Sequence, residues 1–168
     1  ADFYVEEIDE TKKKYSLNGE WKNLIIKKDT IKIRDKEPQI IEIKSTHRGP
    51  IISDVHTFNL LFPDTKTADV SISMRWVGAE VTKDAYGIYL VNRAENWEEF
   101  KTGVSYFKVP GQNFTYADNK GNIGYICAAY LPIRENVSST FVYDGSTDKY
   151  DWKGFVPFAE MPKLFNPP

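Results

Sequence analysis

The chain is expected to fold as an α+β protein, a predominantly antiparallel β meander joined to one or two helices. Three observations predict this. Short stretches alternate apolar and polar residues with the period of two that strands require, as in Val70, Ile72, Met74 and Trp76 set against Ser71, Ser73 and Arg75. Turn-forming residues separate such runs, at Asn18-Gly19 and from Asp118 to Gly121. One segment departs from that period: Trp97, Phe100, Val104 and Phe107 repeat at helical spacing.

Taken in order, Ala1 to Glu7 reads as an opening strand, with Phe3 and Val5 alternating against Tyr4 and Glu6. The lysine-rich stretch from Glu10 to Lys14 reads as a solvated loop, and Tyr15 to Trp21 as a hairpin around Asn18-Gly19. Leu24 to Lys28, Thr30 to Arg34 and Gln39 to Lys44 predict three short strands, with the second turn at Lys36 to Pro38. Thr46-His47-Arg48-Gly49-Pro50 breaks the sheet, and Ile51 to Asp54 resumes it. Val55 to Lys66 is ambiguous, with Pro63 favouring a loop, and residues 70 to 76 form a half-buried strand. Ala85 to Asn92 reads as helical despite Gly87. Asn96 starts the next helix, because its side chain can cap the first turn while Glu99, three residues on, reaches back. A hairpin follows, with a first strand from Asn113, a turn at Asp118 to Gly121 and a second strand from Asn122 through Ala129. Beyond it, Glu135 to Tyr143 carries no clear period, and Gly145 to Trp152 reads as an exposed loop.

Composition narrows the functional classes. A chain of 168 residues with 41% hydrophobic and 27% charged residues suits one globular domain, residues 1–168, with a real core. The net charge of −2 and the lack of a basic stripe argue against nucleic-acid binding. No apolar run approaches the roughly 18 to 20 residues of a membrane span. The single cysteine, Cys127, excludes an internal disulfide and a cysteine-based zinc cage, and its place in a strand predicts a buried, inert thiol. With His47 and His56 the only histidines, a histidine-rich metal site cannot form. Ser53, Asp54 and His56 are close in sequence, which is no argument for a triad. The aromatic content of 14% fits either β-rich packing or a surface that contacts other protein. Asn113-Phe-Thr115 and Asn136-Val-Ser138 fit the N-glycosylation pattern, a motif with many chance matches.

The most specific stretch is Asn113-Phe-x-Tyr-Ala-Asp-x-x-Gly-Asn-Ile-Gly-Tyr125, followed by Pro132-x-Arg134. It resembles the β-subunit hairpin of the penicillin acylase family, N-terminal-nucleophile amidohydrolases that cleave amides of small and fatty acyl groups. The Asn96-Trp97-x-x-Phe100 helix start and the segment from Tyr150 through Pro162 are similar to that family as well. The family shows Thr-x-His-Gly-Pro where this chain has Thr46 to Pro50. Here the histidine stands one position early and Arg48 occupies its place, which favours a core or loop-bracing role over catalysis. The resemblance runs from about Tyr4 to Pro168 and divides the domain into a β-rich part (1–78), a helix plus active-site hairpin (79–134) and a wrapping segment (135–168). It implies that the chain is an internal piece of the αββα sandwich of such an enzyme, with the remainder of the precursor as its partner.

The same resemblance implies the chemistry. An N-terminal serine outside this chain would attack the amide carbonyl, its own α-amine acting as base, and an acyl-enzyme would follow. Asn113 would donate from its side-chain amide to the oxyanion, and Arg134 would orient the site. Read from spacing alone, Asn113 is rather an asparagine bonding nearby backbone where a strand begins, and a surface arginine after a strand is the alternative for Arg134. Asp118 and Asn122 read as turn architecture. The isolated chain is expected to be inactive. The family resemblance implies an exported, periplasmic or extracellular protein and no cofactor; calcium is an option in the parent protein, with no ligands assignable here. Acyl-homoserine lactones are an alternative substrate. The competing class is a non-catalytic binding module, with Trp21, Tyr150 and Trp152 stacking on sugars or a protein partner.

Overall fold

The computed structural model describes residues 1–11, 13–53, 70–137 and 142–168. Asp54, His56 and the 55–66 stretch lie outside them. Backbone contacts divide the chain into two compact units, one of Ala1–Trp76 with Arg134–Asp151, the other of Val77–Ile133 with Trp152–Pro168. Among the described residues, the mixture of two α-helices with many antiparallel strands in small sheets is the expected α+β class.

In the first unit, β1 (Asp2–Glu6) is the centre of a three-stranded sheet, antiparallel to β7 (Ser71–Arg75) and parallel to β10 (Val142–Asp144). A second sheet joins β2 (Ile8–Asp9), β3 (Lys14–Leu17) and β4 (Glu20–Asn23). The turn between β3 and β4 has Asn18 at φ 52° and Gly19 at φ 78°, the two left-handed residues that a type I′ hairpin requires. Where three short strands were expected between Leu24 and Lys44, there are two. β5 (Ile25–Ile31) runs unbroken through Asp29 and pairs with β6 (Gln39–Ser45) as a ribbon of two strands among the described residues. The reversal sits slightly earlier than predicted, closed by the Lys36 N–H on the Ile33 carbonyl, with Asp35 at φ 59°.

The opening strand buries the face that hydropathy would leave outside. Asp2, Tyr4 and Glu6 are buried, while Val5 is exposed. The reason lies far away in sequence: Arg134 and Arg48 neutralise the two carboxylates inside the unit. Residues 46–50 loop back so that Ser45 bridges Pro50 and Ile51 bridges Ser73. Gly49 makes this possible. It sits at φ 152°, and a Cβ there would lie 2.2 Å from the Met74 carbonyl oxygen.

In the second unit, α1 (Asp84–Val91) and α2 (Trp97–Ser105) lie against each other at Gly87 and Gly103; a Cβ on Gly103 would meet the Val91 backbone nitrogen at 2.8 Å. α2 packs on a three-stranded antiparallel sheet in which β9 (Ile123–Ala128) lies between β8 (Gln112–Ala117) and β11 (Lys163–Phe165). Phe100, Val104, Ile126 and Ala128 are the buried centre, bordered by Trp97, Phe107, Phe114 and Tyr116. The helical face predicted from spacing is therefore the one that meets the sheet. β10 and β11, three residues each, carry too short a pattern to read as strands from sequence.

Candidate active site

The hairpin that carries Asn113 is fixed from three directions. At its tip, one Asp118 carboxylate oxygen accepts the backbone N–H groups of Lys120 and Asn122 at 2.9 and 3.0 Å. The other accepts the Asn122 side-chain amide at 2.7 Å and the Tyr116 hydroxyl at 3.0 Å. These bonds, led by that from the Asn122 side chain, hold the Asp118 carboxyl down at about 2. Asp118 and Asn122 are thus turn architecture, as the sequence suggests. On the helix side, Phe114 meets Phe107 edge-on at 5.0 Å, and Tyr116 lies 5.1 Å from Phe100 and 5.5 Å from Trp97. Along the outer edge, β11 pairs with β9, and the Asn166 amide oxygen caps the Ile123 N–H at 2.9 Å.

Strand alternation places Asn113 on the opposite face. Phe114 and Tyr116 turn toward α2, so Asn113 and Thr115 point away from it. The register sets Asn113 across from Cys127 and Thr115 across from Tyr125, which puts Tyr125 diagonal to Asn113 on their shared face. There the Tyr125 hydroxyl donates to Asn113 Oδ1 at 2.7 Å. The amide carbonyl is occupied, and Nδ2 makes no hydrogen bond among the described residues. Asn113 is exposed, so the amine edge is presented outward from a stiff frame. Cys127, expected to be buried, is half-buried on this same face because the strand alternation turns it away from α2.

Arg134 belongs to the other unit. Its Nε donates to Asp2 Oδ2 at 2.6 Å and an Nη donates to Oδ1 at 3.0 Å, a two-pronged pair with a fully buried carboxylate. These bonds, foremost the side-chain hydrogen bond, raise the guanidinium's already high pKa. Arg134 is therefore anchored at the start of β1 and is no loose surface side chain.

The residues at 46–50 build a second polar cluster in that unit. Arg48 is buried and donates from Nη1 to both Glu6 carboxylate oxygens at 3.2 Å and to the Gly145 carbonyl at 2.8 Å. Its Nη2 reaches the Thr147 carbonyl at 2.7 Å, and its Nε reaches Asp151 at 2.5 Å. Glu6 also accepts the Thr46 and Ser73 hydroxyls at 3.1 and 2.6 Å. His47 contacts Asp151 at 2.9 Å and the Tyr15 hydroxyl at 3.1 Å while its ring stacks on Tyr15. Burial alone would raise the Asp151 pKa, but the hydrogen bonds from His47 and Arg48 outweigh it and hold the carboxyl below its ordinary range. Arg48 and His47 brace the 145–151 loop, which is consequently pinned and largely covered, where sequence reading expected exposure. Nothing in the sequence around Gly145 signals this, since the anchoring cation lies almost a hundred residues earlier.

Of the three aromatic residues of the binding-module reading, two pack on neighbouring rings and one is exposed. Tyr150 stacks on Tyr143 at 5.1 Å, Trp152 meets Phe155 edge-on at 6.0 Å, and Trp21 stands half exposed on β4. Among the described residues, no three His, Cys, Asp or Glu side chains gather as metal ligands, and no helix is long and apolar enough to cross a membrane.

The family model described as penicillin amidase matches residues 1–168. A penicillin G acylase from Escherichia coli is 30% identical over 168 residues, covering 99% of this chain and 19% of that protein. A penicillin acylase 2 proenzyme from a Pseudomonas species is 21% identical over 99% of this chain, which covers 20% of it. An acyl-homoserine lactone acylase from Pseudomonas fluorescens is 22% identical over 92% of this chain. Among solved structures, a thermostable penicillin G acylase from Alcaligenes faecalis aligns over 99% of this chain and 29% of its own, with 28% identity and a TM-score of 0.78. The chain thus spans about a fifth of the length of the curated relatives it matches.

Proposed function

The chain belongs to the penicillin amidase family, and from that membership we propose that it forms part of an exported amidohydrolase cleaving N-acyl amides, with Asn113 donating to the oxyanion. The observation that carries the residue assignment is the divided amide: Tyr125 holds Oδ1 at 2.7 Å, and Nδ2 is uncommitted among the described residues. An oxyanion donor needs that arrangement, a fixed N–H aimed at where charge develops and not already satisfied by protein.

In this mechanism the longer protein supplies an N-terminal serine, whose α-amine takes the hydroxyl proton as the oxygen attacks the amide carbonyl. The tetrahedral oxyanion is met by Asn113 Nδ2 together with a backbone N–H from the rest of the protein. Collapse expels the amine with the proton returned to it and leaves an acyl ester, which water hydrolyses by the same steps. Arg134, held by Asp2, is the second residue to which the family resemblance gives a part in the reaction, through its forked guanidinium donors. The remaining parts of the precursor are the partners, and the chain alone is inactive because it brings half of the machinery.

In the full-length protein, Asn113→Ala is expected to lower kcat on an N-acyl amide about 10²–10³-fold, the usual cost of losing one oxyanion donor. Wild-type turnover in that variant would remove Asn113 from the mechanism. The similarity to an acyl-homoserine lactone acylase favours a second substrate reading, with the same bond cleaved in a long-chain N-acyl lactone. Comparing kcat/KM for a long-chain acyl-homoserine lactone with that for an arylacetyl amide decides between them.

A further inference from the structure

We propose that Tyr125 is a positioning residue for this reaction, setting the rotamer of the Asn113 side-chain amide through its phenol; the proposal rests on the oxyanion role of Asn113. An asparagine amide has two near-isosteric orientations that differ by a half turn about its last torsion. One presents N–H to a developing oxyanion and the other presents a carbonyl oxygen, which repels it. Nothing in the shape of the side chain selects between them, so a partner must.

Tyr125 is that partner by geometry. Its hydroxyl donates to Asn113 Oδ1 at 2.7 Å, across the diagonal of the non-helical face of the hairpin. A phenol donates better than it accepts, because its lone pair is delocalised into the ring. It therefore favours the orientation with Oδ1 inward and Nδ2 outward. Drawing density from the carbonyl also polarises the amide and sharpens Nδ2 as a donor. The tyrosine itself is held by its strand: its neighbours Gly124 and Ile126 pack beneath the Trp97 ring and in the buried centre, so its Cα has little freedom. Tyr125 need never touch substrate for this.

The test is a double-mutant cycle in the full-length enzyme, using an N-acyl anilide and measuring kcat and KM separately. Tyr125→Phe is expected to lower kcat about fivefold, the scale of one neutral hydrogen bond, with KM unchanged. Asn113→Ala with Tyr125→Phe is expected to be no slower than Asn113→Ala alone, since the phenol acts only through the amide. Full kcat in Tyr125→Phe, or losses that multiply in the double variant, would overturn the proposal while leaving Asn113 in place. Full activity in Asn113→Ala would overturn both. If the Phe variant yields no folded enzyme, a ring-fluorinated tyrosine at position 125 keeps the shape and ionises at lower pH. A phenolate cannot donate, so kcat should then fall on the alkaline side where the wild type holds. Superimposable pH profiles would overturn the proposal.

Discussion

At the scale of single residues, the first unit owes its order to charges placed inside it. Arg48 and Glu6 are both buried, and their pair is completed by the Thr46 and Ser73 hydroxyls and two loop carbonyls. A buried ion pair gains little over an apolar replacement, but removing one member strands the other charge. Arg48→Met should therefore destabilise the parent protein by about 3–5 kcal/mol in urea unfolding, and adding Glu6→Leu should recover part of that loss. An unchanged midpoint in the single variant would show that the buried Glu6 side chain does not depend on Arg48. This pairing was the least legible feature of the sequence. Hydropathy reads β1 from Phe3 and Val5, yet Asp2 and Glu6 go inside, because the arginines that permit it stand 42 and 132 residues away. Arg48 was legible only as a departure from a family motif; its carbonyl and carboxylate partners were not.

At the scale of elements, what is local in sequence was read well. The Asn96 side chain accepts the Glu99 N–H at 3.0 Å, and Glu99 reaches back to the Glu95 N–H at 2.9 Å, so the helix start is capped as its residues suggest. The Asn18-Gly19 and Asp118-to-Gly121 turns also lie where their chemistry puts them. Strands of three residues, and the continuity of β5 through Asp29, depend on partners elsewhere and were missed. The contact between α2 and β9 gives the sharpest prediction at this scale. A Cβ on Gly124 would come within 2.3 Å of the Trp97 ring, which itself stacks on Phe165 at 4.8 Å. Gly124→Ala should cost about 1–3 kcal/mol by overpacking and alter the near-ultraviolet circular dichroism. Unperturbed thermal unfolding would mean that Trp97 can move aside freely. For the site, the sequence marked Asn113 through its motif. The Tyr125 contact follows from strand register, which a one-residue slip would have abolished.

At the scale of the whole molecule, the chain is about a fifth of its curated relatives' length, and its proposed chemistry needs the rest. What it contributes is a rigid hairpin presenting one amide edge, and that contribution can be isolated from substrate binding. A boronic acid analogue of the acyl group would accept the oxygen of the proposed serine to become tetrahedral, placing an oxygen where the oxyanion is proposed to form, whereas the carboxylic acid product stays planar. The most direct measurement is the affinity of the full-length protein for both, with and without Asn113→Ala. Loss of about 10²–10³-fold for the boronate, with the product's affinity unchanged, is the predicted result. Equal affinity for the boronate in the two proteins would contradict the assignment of Asn113 to the oxyanion.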